Sequence, residues 1–211
     1  MPVNSNYGTF AGTVGVQALS DGTNGPIRVA RDGSLVDSGT HGKYKDAVVD
    51  GNVYSAMTAV TGVAPGTALG TTAAFALHNP VGSAKRLSIL QAQMTYVSGT
   101  LGTGAVFYCV NNTAPTAGTA IAPVNCKTFT ATGASALAYT TATVVAPIQL
   151  KAFCSLTPIL ATSVVTPFNI VDYVDGSIVV PPGGTLVLHA VAAAGTSPLV
   201  QFTVIWDEIP S

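Results

Sequence analysis

The sequence predicts an all-β chain: an antiparallel, jelly-roll-like β-sandwich preceded by an extended N-terminal arm. Three observations lead there. In the C-terminal run from Leu199 to Ile209, Val200, Phe202, Val204 and Trp206 alternate with Gln201, Thr203 and Asp207, the period of two of a half-buried strand. Short runs of β-branched and aromatic residues recur upstream, separated by loops of Gly, Pro and Thr. Between two such runs, Pro181-Pro182-Gly183-Gly184 cannot sit inside a sheet and reads as a turn. Phe202 and Trp206, the only tryptophan, are the expected core anchors.

Taken in order, residues 1–26 are rich in Gly, Asn, Ser and Thr, with Tyr7 and Phe10 as the only large anchors. Such a segment buries too little surface to order itself alone, so it is expected to be disordered or docked on a neighbour, as part of an extended arm over residues 1–50. Within it, Ile27–Asp37 has the form strand, Asp32-Gly33, strand, a short hairpin signal. Asp21, Arg28, Arg31, Asp32, Asp37, Lys43, Lys45, Asp46 and Asp50 make up nine of the seventeen charged residues (eight basic plus nine acidic). That concentration suggests a docking segment in which Arg28, Arg31, Asp32, Lys43, Tyr44 and Lys45 meet a partner. The sandwich is expected over residues 51–211, with strands at Val53–Val60, Ala73–His78, Leu87–Val97, Ala105–Asn111, Lys127–Thr130 and Thr143–Lys151. Leu87, Leu90, Met94 and Val97 also match a helical stripe, but Thr95-Tyr96-Val97 and the bracketing Gly82 and Gly99 favour a strand.

Composition bounds the function. Charged residues make up 8% of the chain, against about 25% in ordinary soluble domains. Net charge is −1 and mean hydropathy +0.48. No run approaches the roughly 20 apolar residues of a spanning helix, and no aromatic girdles mark a membrane barrel. No membrane partner is therefore expected, and the uncharged surface is read as covered by other protein. Balanced charge without a basic stripe argues against nucleic acid. The start of the chain has neither a basic nor an apolar leader segment, so synthesis in a cytoplasm is expected. Cys109, Cys126 and Cys154 have no metal-ligand spacing and are expected to be reduced, with a Cys109–Cys126 bridge as the alternative.

Catalytic patterns are not found. His41, His78 and His189 have no paired spacing and read as surface or interface residues. No serine sits in a nucleophile elbow, and Gly82-Ser83-Ala84-Lys85 lacks phosphate-loop spacing. Asp207 and Glu208 point to opposite faces of a strand, so they read as solubilising a strand edge. The four Asp-Gly pairs read as turns. No enzyme activity, metal or cofactor is expected.

The stretch from His41 to Ala56 (HGKYKDAVVDGNVYSA), with Asn79–Lys85, Ser98–Gly102, Asp175–Val180 and the tail holding Trp206, resembles a family of virion structural proteins of tailed bacteriophages. In style it is also similar to the jelly-roll cement and decoration proteins of phage heads. The resemblance spans about residues 27–211, and its motifs are turns and strands. It implies a component of the virion, made in the bacterial host cytoplasm and placed on the capsid surface. The expected role is a cement or decoration protein that binds the major capsid protein and its own copies, as a homotrimer. The alternatives are a tail or fibre-head module that binds host glycan and, further off, a virion-associated polysaccharide hydrolase.

Overall fold

The computed structural model describes residues 42–69, 72–156, 169–191 and 195–211. Arg28, Arg31, Asp32, His41 and the expected hairpin Ile27–Asp37 lie outside the described residues. Within them the chain forms one short helix, α1 (Lys45–Asp50), and twelve strands. These are β1 (Val53–Met57), β2 (Thr72–His78), β3 (Lys85–Ser98), β4 (Gly104–Asn111), β5 (Thr119–Ile121), β6 (Val124–Asn125), β7 (Leu137–Thr143), β8 (Ile148–Leu156), β9 (Asn169–Tyr173), β10 (Val179–Val180), β11 (Thr185–Val191) and β12 (Leu199–Pro210).

The strands make two six-stranded antiparallel sheets. The first runs β10-β3-β12-β1-β6, with β9 also paired to β3, and the second runs β5-β7-β2-β11-β4-β8. The pairs nest, β1 with β12, β2 with β11, β3 with β9 and β10, and β4 with β8. A long hairpin rolled up in this way is a jelly roll. The insertion β5–β7 between β4 and β8 widens it: β7 adds to β2 and β6 adds to β1. The all-β sandwich expected from the sequence is therefore the fold.

Alternation makes the core. On β12, Val200, Phe202, Val204 and Trp206 are fully buried, and they face Phe75, Leu77, Leu186 and Leu188 from the other sheet. Trp206 stacks on Tyr54, its register partner on β1, with ring centroids 6.2 Å apart. A smaller apolar cluster lies on the far side of the second sheet, where Ala76, Val187 and Cys109 form one row across β2, β11 and β4. Leu69, Phe107 and Tyr139 pack over it.

Four expectations need correction. Lys45–Asp50, expected as the end of an extended arm, is helical, ended by Gly51 in the left-handed region (φ 80°). Lys127–Thr130 is a turn and loop, because the Asn125 side chain accepts hydrogen bonds from the Lys127 and Thr128 N–H groups and folds the chain back. The expected strand Thr143–Lys151 is the end of one strand and the start of another, broken around Pro147. Asp207 and Glu208 do not solubilise an edge, since β12 lies between β3 and β1 and Glu208 is buried in the interior.

Candidate interaction surface

Residue by residue, the fold shows what each expected functional group touches. Lys43 and Tyr44, expected to dock on a partner, reach the turn between β9 and β10. Lys43 Nζ pairs with Asp175 Oδ2 at 2.6 Å, and the Tyr44 hydroxyl donates to Asp175 Oδ1. Asp175 and Gly176 both have positive φ (53° and 80°), the Asp-Gly turn the sequence suggested. At the other end of α1, Asn52 O accepts from Glu208 N–H, so Lys43–Asn52 is tied to the first sheet at both ends. Lys45 is exposed.

His78 and His189, read as surface or interface residues, are both buried. His78 is buried, with Nδ1 3.0 Å from Gly184 O and 2.9 Å from Thr185 Oγ1, at the turn that joins β10 to β11. Burial lowers its pKa below the usual 6.5, opposed by the hydrogen bond to Gly184. The unfolded chain therefore takes up a proton near pH 6.5 that the folded chain resists. Stability should be flat above that pH and fall as the pH drops below it. Thermal melts between pH 7.5 and 5.5 should show this decline, and His78→Asn should flatten it; an unchanged slope in the variant would assign the pH dependence elsewhere. His189 is buried on β11, where Nε2 donates to Ala68 O and holds the Ala64–Leu69 loop over the second sheet.

The thiols are all unbridged. Burial pushes Cys109 and Cys154 up to about 11 and raises Cys126 as well, so none is a ready nucleophile. On the side where β8 and β9 lie, the Tyr108 hydroxyl donates to Asp172 Oδ2 at 3.0 Å, and Lys151 Nζ pairs with the same oxygen at 2.9 Å. This strut joins the two sheets. Among the described residues no group of three His, Cys, Asp or Glu side chains could hold a metal ion, and no helix is long and apolar enough to cross a membrane.

Among the described residues, several large apolar side chains are open to solvent. Val60, Val81, Val145, Ile148, Leu150 and Tyr173 are exposed, and Phe129 is 82% exposed. Phe129 also has φ 57°, an uncommon conformation for a bulky residue. Its loop is nonetheless tightly closed. Asn125 N–H donates to Thr130 O, Phe129 N–H donates to Asn125 O, and Asn125 Nδ2 donates to Gly51 O. A preorganised loop thus holds an aromatic ring in water. Sequence reading missed it; Tyr139, by contrast, lies in β7 and packs on the smaller cluster.

A concave site lies where the Ala64–Leu69 loop meets the start of β2. This bowl of about 370 Å³ is lined by Ala64, Gly66, Ala68, Ala73 and Ala74, with Thr67, Thr72, Thr141 and His189. No carboxylate, lysine or arginine lines it. Gly66 is required, since a Cβ there would lie 3.3 Å from both Ala190 O and the His189 ring at φ 95°. Thr141, β-branched with φ 51°, is a strained residue on the wall.

No protein-family profile, curated protein or solved structure matches this chain.

Proposed function

We propose that this chain is a non-enzymatic virion structural protein, a capsid cement or decoration protein that binds the major capsid protein and stabilises a phage head. The observation that supports this most is the pairing of a charge-poor surface with exposed Phe129, Ile148, Leu150, Tyr173 and Val81 on an ordered sandwich. Scattered apolar residues are ordinary on a soluble protein, but at 8% charge there is little between them to oppose association. Copies packed on a lattice would cover such a surface, and Gly- and Thr-rich loops lose little rotamer entropy when they pack. Self-association as a trimer fits the threefold positions that capsid lattices offer. The residues ahead of Lys43, including Arg28, Arg31 and Asp32, would contact the capsid protein.

A tail or fibre-head module that binds host glycan is the second reading, and the exposed rings of Phe129 and Tyr173 favour it. Copy number separates the two: a cement covering a lattice should be present on the order of hundreds per particle, a tail module at a few dozen or fewer. Quantitative mass spectrometry of purified particles reads this directly. Deleting residues 1–42, which leaves the Lys43–Asp175 contact in place, should abolish binding to particles that lack the protein. Retained binding at full strength would remove the docking role from that segment, and absence of the chain from particles would overturn the proposal.

A further inference from the structure

We infer that Phe129 of one copy seats in the alanine-lined bowl of a second copy, so that the chain assembles head to tail through a single knob and hole. The inference goes beyond the virion reading and does not depend on it. It rests first on the knob. An aromatic ring that is 82% exposed, on a loop closed by Asn125, at φ 57°, is unfavourable twice over in the isolated chain. Among the described residues no aromatic ring stacks on Phe129. Backbone strain of this kind persists where the surroundings enforce it, and it concentrates at binding sites.

The hole is the second, independent observation. The bowl is lined by small apolar side chains at Ala64, Ala68, Ala73 and Ala74 together with Thr67, Thr72, Thr141 and His189, and its volume of about 370 Å³ is enough for an aromatic ring. Gly66 (φ 95°), where a Cβ would crowd Ala190 O and the His189 ring, and the strained Thr141 (φ 51°) shape its wall. Knob and hole are far apart on one copy. Phe129 belongs to the end of the sandwich where Glu208 N–H meets Asn52 O and Asn125 pairs with Tyr54. The bowl belongs to the end where Val63 pairs with Val200, and Pro65 O accepts from Ala190 N–H. From Val200 to Glu208 along β12 is about 25 Å at the usual rise per residue. Phe129 cannot reach the bowl of its own copy, so a Phe129 seated there comes from a second copy.

Charge permits the match. The bowl offers no carboxylate or amine that the ring would have to desolvate, and the thin charge of the chain adds little repulsion. Such a contact is heterologous: it uses two different patches, so it closes into a ring when successive rotations allow and extends into a filament when they do not.

Two variants and their mixture test this by sedimentation velocity at about 0.5 mM, where contacts even of millimolar affinity are visible. Phe129→Asp removes the knob, and Ala68→Trp, at an exposed rim position, fills the hole. Each alone is expected to weaken association by about 30-fold or more, as hot-spot residues do. Mixed, they keep one intact knob and one intact hole, and a 1:1 heterodimer should form that neither makes alone. Phe129→Gly adds a readout that a purely structural role would not give: relief of the positive φ should raise the melting midpoint by about 2–4 °C while association is lost. Thr72→Trp replaces Ala68→Trp should the latter melt early. A monomeric wild-type chain, a wild-type oligomer insensitive to both changes, or a mixture that stays monomeric would each overturn the inference.

Discussion

Replacing Trp206 by alanine is expected to destabilise the sandwich by about 3–5 kcal/mol, the range for a fully buried aromatic. For a chain of this size that lowers the thermal midpoint by on the order of 10 °C. The reasons are local. Trp206 has no exposed surface, sits on a strand flanked by β3 and β1, and stacks on Tyr54 at an interplanar angle of 26°. Neighbouring strands hold the backbone in place, so the space left behind can collapse only in part. Trp206→Phe should cost less, because it keeps most of the apolar contact and loses the indole N–H bond to Glu208 Oε1. Urea unfolding followed by circular dichroism reads both; a midpoint unmoved by Trp206→Ala would mean the core is centred elsewhere.

Why Trp206 was legible in the sequence, and other positions were not, is a matter of contrast. On β12 the inward residues are large and apolar and the outward ones polar, so the period of two stands out. On β3 the same alternation is interrupted. Leu90 and Val97 have no register partner on β12, because bulges at those points put two residues of β3 opposite one of β12. The inward set therefore shifts from Leu87 and Ile89 to Ala92 and Met94, all buried. That shift produces the apparent helical stripe through Leu87, Leu90, Met94 and Val97. A bulged strand and a helix give similar apolar spacing, and only length and β-branched content tell them apart.

The insertion was hardest to read, for the opposite reason. The inward residues of β7 include Ala138, and threonine and alanine dominate the strand, so there is almost no hydrophobic contrast to follow. Lys127-Thr128-Phe129-Thr130 alternates as a strand would, and the residue that turns it is Asn125, whose side chain imitates a backbone turn. The exposed knob at Phe129 was hidden by that one asparagine. The bowl has no sequence signal of its own: alanine, glycine and threonine from Ala64 to Thr72 read as an ordinary loop leading into the strand expected at Ala73–His78, and only tertiary pairing at Val63 and Pro65 gives it shape.

Replacing Glu208 by alanine is expected to cost as much as losing the tryptophan, about 3–5 kcal/mol, through stranded hydrogen-bond donors. The alternation that buries Trp206 also turns Glu208 inward, two residues further along β12. There its carboxylate takes the Ser135 N–H at 2.9 and 3.0 Å on its two oxygens, the Ala136 N–H at 3.0 Å and the Trp206 indole N–H at 3.3 Å. One side chain thus anchors the Ser135-Ala136 backbone of the insertion to the end of the first sheet. Removing it leaves buried backbone donors unpaired, and an alanine cannot replace them. Glu208→Gln keeps one acceptor oxygen but turns a donor amide toward other donors, so its loss should fall between wild type and Glu208→Ala. Asp207, on the outward face, gives the contrast: burial first, then the charges of Asp50 and Glu208, raise its pKa, with Lys85 opposing. The folded state thus holds the Asp207 proton more tightly than the unfolded state, and this term weakens stability as the pH rises through the folded pKa. Asp207→Asn should therefore be neutral or stabilising at neutral pH, where Glu208→Ala is severe. Hydrogen exchange gives the local test, because the Ser135 and Ala136 amides should exchange much faster in Glu208→Ala while amides in the middle of β12 lose only the global stability. Equal acceleration throughout would mean that Glu208 supports the whole sandwich and does not act as a clip for the insertion.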